Sequence, residues 1–561
     1  MVKGRVMTNF LGYENVPVPL GFEDWLSFWF VLVVSVVNGI LMLFVGYKFL
    51  QVLQLSGYKV KDYWGWLKAS KFKYWGRLCI LSFLSSASLL VTNVLLEQFF
   101  VVKYLTYAGL VFYLMFCLIF IRNMFNMPQK TPLKYTQRMT RLCVVLAILV
   151  ALLTMFVMTV SSHFIKYFDY GAVGLTPLFL PILVAVSHLI MVPFENLHSY
   201  RYISRAKKKM REHKNLICIG ITGSYGKTTV KNILCTMLSE KFNVCATPYS
   251  YNTPLGLSKT ILNYLKPDNE IFIAEMGAKH IGDIAYLCKM VQPKIGVITG
   301  IGNQHLATFG SIDNLKKTKF ELVEGIAKGG EVYFNVDGDS ASELYGNTKI
   351  KKYATTINSA TGDFYVSDIK VDERGSSFVL HLTNEEIECE TSLLGKHNIS
   401  NILLCASVAY NLGVSALSIK IAISKLVPSA HRLAIVPSAN SLVVIDDAYN
   451  GSVEGARAGL EAISNFKTKK IVVTPGLVEL GKEEFNSNFE LGREMAKVCD
   501  YVIIDGVSNF DALSSGLEFG GFNRENILRA GSLGQAIEVL NTIAKPGDVV
   551  LFENDLPDNY T

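Results

Sequence analysis

The chain has 561 residues, of which 50% are hydrophobic and only 18% charged, with a mean hydropathy of +0.31. An ordinary soluble domain is about 25% charged, so this composition excludes a wholly soluble protein, a disordered or collagen-like chain and a small secreted scaffold. At roughly 100–200 residues per domain, about three domains are expected. The net charge of +7 raises nucleic acid as a partner. The basic residues, however, cluster beside apolar runs, which ties them to membrane topology, and no nucleic-acid partner is expected.

Five apolar stretches lie within the first 200 residues, at about 25–47, 78–96, 104–121, 142–160 and 172–193. Each approaches the ~20 residues a helix needs to cross the hydrocarbon core. A five-helix transmembrane bundle over 1–200 follows. The first run is too long for a cleavable signal and has no small-residue cleavage site. Basic residues crowd segments 48–77, 122–141 and 201–214, whereas 97–103 and 161–171 carry one basic and one acidic residue each. The bias predicts an outside amino terminus, five crossings and a cytoplasmic remainder, hence a multi-pass membrane protein. Pro177 and Pro181 are expected to kink the fifth span, and His188 to be a packing residue. No acidic pair marks an ion path, which disfavours a transporter. Ten cysteines run from Cys79 to Cys499 without a CxxC pair, so neither a disulfide framework nor a zinc site is expected.

A basic linker at 201–215 leads into a different texture. From Leu216 short β-rich runs alternate with Gly-rich turns and amphipathic stretches, the rhythm of an α/β fold. The segment Leu216–Thr229 reads as a strand, a Gly-rich loop and a helix from about Thr228. Small loop residues let backbone N–H groups wrap phosphates at a helix amino terminus. Lys227 would reach the β/γ-phosphates, and Thr228 would place a hydroxyl on Mg²⁺. Ile221 stands where the general phosphate loop has its first glycine.

Four further segments accompany that loop. Ile271–Glu275 is an apolar strand ending in a carboxylate, a costly position unless the acid is paired or metal-bound. Ile295–His305 is a strand leading to a glycine turn and a histidine. Lys319 lies on a helix starting near Ser311, and physics alone assigns it no role. Near a domain boundary at about 430, Gly395–Asn401 and Leu442–Asn450 follow. Asn398 and Asn401 share a helix face and suit either base recognition or capping. The second of these segments ends its strand in Asp446 and Asp447.

Together these segments resemble the Mur ligase family, ATP-dependent amide ligases of cell-wall precursor synthesis. The resemblance spans about 216–555 and rests on Thr222-Gly-Ser-Tyr-Gly-Lys-Thr228, Asn252-Thr-Pro-Leu-Gly256, Glu275-Met-Gly-Ala278, His305-Leu306 with Phe309-Gly310, Gly395-Lys-His-Asn-Ile-Ser-Asn401, Asp446-Asp-Ala-Tyr-Asn450 and Val478-Glu-Leu-Gly481. The variants are most similar to the branch that adds D-alanyl-D-alanine. It implies a P-loop central domain at 216–430 and a Rossmann-like carboxy-terminal domain at 431–561. ATP would be held by Thr222, Gly223, Ser224, Tyr225, Gly226, Lys227, Thr228, Thr229, Asn398, Asn401, Arg432 and Asp447. Mg²⁺ would be held by Thr228, Glu275, His305 and Lys319. Lys227, Lys319 and His305 would serve catalysis, Lys319 as a carbamate.

The resemblance further implies that ATP activates a carboxylate as an acyl phosphate, which an amine then attacks. The partners expected are an amino acid or dipeptide amine and a carboxylate acceptor. In this sequence an apolar region stands where the family has its nucleotide-sugar domain, which makes the acceptor lipid-linked or membrane-proximal. Glu553-Asn-Asp555 replaces a Lys-Gly-Ser of the D-alanyl-D-alanine branch, and Asn488 replaces a histidine. Two alternatives stay open: a polyglutamate-synthase-like ligase extending an anionic polymer, and a transporter or scaffold whose ligase half only binds nucleotide.

Overall fold

The computed structural model describes residues 22–70, 72–98, 105–125, 132–164, 173–302, 309–372, 375–428, 433–436, 441–447, 453–478, 480, 483–506 and 508–553. The chain divides into two compact units, 1–199 and 200–561.

The first unit is helical: α1 (Phe22–Val45), α2 (Tyr47–Leu55), α3 (Val60–Ala69), α4 (Lys73–Gln98), α5 (Leu105–Phe125), α6 (Gln137–Phe164) and the start of α7 (Leu180–Glu212). Among the described residues, four helical stretches are long and apolar enough to cross a membrane: Phe28–Val45, Lys73–Val91, Gln137–Val160 and Thr176–Glu212. The expected third span coincides with α5, whose stretch Gly109–Phe125 is shorter. Large apolar side chains such as Ile80, Phe83, Leu118 and Phe156 point outward, while polar ones turn inward. Asn38 donates to Thr154 at 2.9 Å and to Thr176 at 3.1 Å, and Tyr113 donates to Asn38 at 2.5 Å. Inside an apolar bundle such groups must find partners in one another, and these do.

Two local expectations change. The prolines do not kink a span. Pro177 sits in the first turn of a 3₁₀ segment (Thr176–Phe179), and Pro181 is the second residue of α7, a turn where a missing N–H breaks no helical bond. The proline inside the helix is Pro193. The stretch 201–215 is helical as far as Glu212, because its Lys, Arg, Ala and Met residues are good helix formers with no Gly or Pro among them.

The second unit holds two sheets. The first contains β1 (Ile217–Thr222), β2 (Val244–Ala246), β3 (Ile271–Glu275), β4 (Ile295–Ile298), β5 (Glu331–Asn335), β6 (Lys351–Thr356), β7 (Phe364–Asp372), β8 (Gly375–His381) and β9 (Glu386–Thr391), in the order β2-β3-β1-β4-β5-β6-β7-β8-β9. It is parallel from β2 to β7, with β7–β9 an antiparallel extension. Its helices are α8 (Lys227–Leu238), α9 (Pro254–Asn263), α10 (Asp283–Val291), α11 (Ile312–Glu324), α12 (Asp339–Asn347), α13 (Lys396–Asn411) and α14 (Ala416–Ser424). Two apolar cores flank the sheet. One is built on Ile219, Ile221, Val230, Leu234 and Ile402, the other on Phe272, Ala274, Leu287, Leu315 and Leu322. Burial on both faces accounts for the unbroken apolar runs of the central strands.

The second sheet has β10 (Ala434–Val436), β11 (Val443–Asp447), β12 (Lys470–Thr474), β13 (Tyr501–Asp505), β14 (Ile527–Ala530) and β15 (Val549–Glu553), ordered β10-β11-β15-β12-β13-β14. Only β10 runs antiparallel. Helices α15 (Val453–Ser464), α16 (Glu484–Val498), α17 (Phe510–Phe519) and α18 (Leu533–Ile543) complete it. This is an α/β fold in both parts.

Candidate active site

The central strand β1 lies between β3 and β4, and the order of strands reverses around it. Its register pairs Ile221 with Glu275 on one side and with Val297 on the other. Ile221 is fully buried. That position is therefore core strand, and the loop begins one residue later, which explains why no glycine stands there. Carboxyl ends of neighbouring parallel strands form the binding edge of such sheets, and here that edge carries Thr222, Glu275 and Thr299.

Loop residues 223–226 are held by their neighbours. The Thr222 hydroxyl donates to the Met276 carbonyl at 3.2 Å, and the Ser224 N–H to the Gly300 carbonyl at 2.8 Å. The Thr299 hydroxyl donates to the Tyr225 carbonyl at 2.5 Å. Gly300 packs against the Tyr225 ring so closely that a Cβ there would lie 2.0 Å from a ring carbon. Gly226, at φ +77°, turns the chain into α8, and a Cβ on it would stand 3.0 Å from Asn401 Oδ1. Asn401, on α13, thus reaches the phosphate loop. Asn398, one turn earlier, donates to the Leu394 carbonyl at 2.8 Å, which ties the helix start to the preceding chain. Lys227 Nζ lies back over the loop, donating to the Gly223 and Ser224 carbonyls at 2.9 and 2.8 Å. Thr229 follows Thr228 in the first turn of α8.

Glu275 ends β3 almost fully buried. Its Oε1 accepts from the Thr228 hydroxyl at 3.2 Å and from Asn252 Nδ2 at 3.3 Å. Its Oε2 lies 3.1 Å from Lys231 Nζ, yet among the described residues no donor is directed at it in hydrogen-bond geometry. A buried carboxylate oxygen in that condition, next to a threonine hydroxyl, is the hard-oxygen donor set that Mg²⁺ takes. Lys319, on α11, is also buried. Burial, and then the neighbouring Lys227, pull its amine down to about 7, against the opposing pull of Glu321 and Asp283. Those two acids are engaged elsewhere: Glu321 accepts from the Gly282 and Ala285 N–H groups, and Asp283 from those of Lys279 and His280.

In the second sheet Asp447 ends β11, where its Oδ1 accepts from the Leu433 N–H at 3.0 Å. In register beside it is Glu553, the last residue of β15. Glu553 is buried and, among the described residues, neither carboxylate oxygen has a hydrogen-bond partner. Burial first, and then the Asp447 charge, push its carboxyl well above the usual range. Asn488 is fully buried, donating to the Leu477 and Glu484 carbonyls. His305 and Arg432 lie outside the described residues, as do Tyr449, Asn450, Glu479 and Gly481. Among the described residues no three His, Cys, Asp or Glu side chains form a metal-binding group, and all ten cysteines are free.

The structure thus brings the phosphate loop, Thr228, Glu275 and Asn401 together. The pull of Lys227 on the Lys319 amine puts Lys319 within electrostatic reach of the loop. Sequence reasoning missed Lys231, Thr247, Thr299 and the role of Asn252. Thr247 offers its hydroxyl to the Glu275 N–H at 3.2 Å. For Lys231 a signal existed: it lies four residues after Lys227, on the same helix face.

Comparison with known proteins finds relatives of both parts of this unit. The family model described as Mur ligase middle domain matches residues 221–409, and that described as Mur ligase, glutamate ligase domain matches 431–553. The UDP-N-acetylmuramoyl-tripeptide–D-alanyl-D-alanine ligase of Mycobacterium tuberculosis (strain ATCC 25618 / H37Rv) is 30% identical over 357 residues, covering 60% of this chain and 70% of that protein. The Escherichia coli (strain K12) enzyme of the same name is 28% identical over 282 residues, covering 50% and 62%. Among solved structures, MurF ligase from Thermotoga maritima in complex with ADP superposes with a TM-score of 0.57 at 26% identity, covering 64% of this chain and 80% of that one. MurF from Acinetobacter baumannii gives 0.58 at 24%, covering 64% and 77%, a likeness of fold.

Proposed function

The chain belongs to the Mur ligase family of ATP-dependent carbon–nitrogen ligases, and from that premise we propose that it joins an amino acid or dipeptide amine to a carboxylate of a peptidoglycan precursor at the cytoplasmic face of a membrane. The observation that carries this reading is the convergence of the phosphate loop with Glu275 and Thr228 at the carboxyl ends of β1 and β3.

A carboxylate does not react with an amine directly. One carboxylate oxygen of the acceptor attacks the γ-phosphorus of ATP, the bond to the bridging oxygen breaks, and ADP leaves an acyl phosphate. The amine lone pair then adds to the carbonyl carbon, the amine loses a proton, and phosphate departs with the electrons of the C–O bond. In this chain the loop N–H groups of 223–228 cradle the phosphates at the amino terminus of α8. Lys227 swings off its two carbonyls to meet the γ-phosphate. Asn398, Asn401, Arg432 and Asp447 would hold the nucleotide. Thr228, Glu275, His305 and Lys319, the last as a carbamate, would hold Mg²⁺. Bound there, the ions would neutralise charge on the transferring phosphoryl group.

The matched family regions begin at 221, and among the described residues four helical stretches long and apolar enough to cross a membrane precede them. Together with the basic bias of segments 48–77, 122–141 and 201–214, this favours the finer version of the reading: five crossings with the amino terminus outside, and a lipid-linked or membrane-proximal acceptor. Full-length protein in detergent tests both versions through ADP release. UDP-linked muramoyl tripeptide with D-alanyl-D-alanine is one substrate pair, and membrane extract with a panel of amino acids and dipeptides is the other. Amine-dependent release with extract alone supports the membrane-proximal acceptor, and equal turnover on the UDP-linked peptide refutes it. ATP binding with no amine-dependent release from either source refutes the ligase reading.

A further inference from the structure

Lys231 is among the most deeply buried charged side chains of the ligase unit, and neither the phosphate loop nor the chemistry above uses it. It sits one helical turn after Lys227 on α8, 2% exposed, with Nζ 3.1 Å from Oε2 of a glutamate that is 1% exposed. Its ammonium also donates to the Tyr249 carbonyl, in a loop where Tyr249 takes a left-handed φ of +49°. Such a lysine, enclosed with its partner carboxylate, stays in place where the more open Lys227 can move. Its lasting effect is electrostatic, because Glu275 already carries its counter-charge.

The charges around the site follow from the groups already placed. Glu275 faces Lys231 directly, while Lys227, at the start of the same helix, adds a second cation. The two acids that act on Lys319, Asp283 and Glu321, spend their oxygens on backbone N–H groups. A divalent cation approaching the nucleotide-free site meets one neutralised carboxylate beside two cationic lysines. A triphosphate reverses that balance.

We propose that Lys231 is a positioning residue that keeps divalent metal off the nucleotide-free site and makes metal binding conditional on the triphosphate. The inference rests on the ligase reading, because it takes Glu275 as a metal ligand. Removing one unit charge at this distance inside a protein is a large perturbation. Lys231→Met is therefore expected to bind Mn²⁺ without nucleotide at least about tenfold more tightly than the parent. Lys231→Arg, which keeps the charge, should behave like the parent.

The test is Mn²⁺ titration of full-length protein in detergent, read by electron paramagnetic resonance, with Glu275→Gln to identify the site. Nucleotide binding is measured separately with a fluorescent, non-hydrolysable ATP analogue. Weak parental Mn²⁺ binding, strengthened in Lys231→Met and unchanged in Lys231→Arg, supports the proposal. Equal Mn²⁺ affinity in parent and Lys231→Met overturns it. So does tight, Glu275-dependent Mn²⁺ binding by the nucleotide-free parent, a result that needs no lysine variant to fold. If the analogue binds while metal affinity ignores it, only the proposal falls. If the analogue does not bind at all, the ligase reading falls with it.

Discussion

Two buried ionisable groups illustrate how position sets chemistry at the scale of a residue. Lys319, with its amine lowered to about 7 by burial and by Lys227, is substantially neutral at neutral pH, and only a neutral amine can take up carbon dioxide. Activity is therefore expected to depend on bicarbonate. Carbamylation should fail as pH falls below about 7, where the amine is protonated, and Lys319→Ala should lose roughly 10²-fold or more in turnover. ADP release measured with and without bicarbonate across pH 6–8.5 checks this, and indifference to bicarbonate at every pH would remove Lys319 from the metal site. Glu553 has the opposite problem, since its carboxyl is raised by burial and by Asp447. Folding then favours the protonated form. The contribution to stability is complete below the ordinary glutamate range, near 4.3, and declines as pH climbs toward the raised folded value. Glu553→Met removes a buried group with two unpartnered oxygens, worth about 1–3 kcal/mol. Its melting temperature should exceed the parent's by a margin that widens from pH 5 to pH 8. A constant margin would show that the carboxyl does not titrate in this range.

Elements matter through the loops that leave their ends. The phosphate loop after β1 is shaped by the turn after β4, through the Ser224–Gly300 and Thr299–Tyr225 hydrogen bonds and the ring of Tyr225 on Gly300. Gly300→Ala would drive a methyl group into that ring and displace the loop. A loss of at least about tenfold in nucleotide affinity is expected, with secondary structure intact, because the clash lies at a strand end outside the core. Fluorescent nucleotide titration with circular dichroism as the control separates a loop effect from unfolding. The helix carrying Lys319 is fastened at its start by Ser311, whose hydroxyl accepts from the Asn314 N–H at 3.2 Å. Ser311→Ala should cost about 1 kcal/mol, read as a lower denaturant midpoint at unchanged slope.

At the scale of the whole molecule the two units follow opposite solvation rules. In unit 1–199 apolar side chains face outward and the Asn38–Thr154–Thr176–Tyr113 cluster faces inward. In unit 200–561 the apolar side chains pack between sheet and helix. The basic bias predicts that reporters fused at the amino terminus and in 97–103 read as outside, and that a reporter at the carboxy terminus reads as inside. A carboxy-terminal reporter active outside the cell would separate the ligase unit from its ATP and overturn the orientation.

Composition and pattern were enough to place the apolar half, the α/β half and the order of the binding segments, because periodicity, strand-end glycines and strand-end acids are local properties of a chain. The strand read in Leu442–Asn450 is β11, and the helix read from near Ser311 starts at Ile312. Other features depend on residues far apart in sequence. The prolines at 177 and 181 became a helix start because chain direction there is set by packing. Lys231 acquired its partner only when β3 closed beside β1. The acidity of Glu553 has no local signature at all, since it comes from burial and from a neighbouring strand over a hundred residues away. A sequence lists which charges a chain owns. Folding decides which of them face each other in a medium too poor in water to screen them.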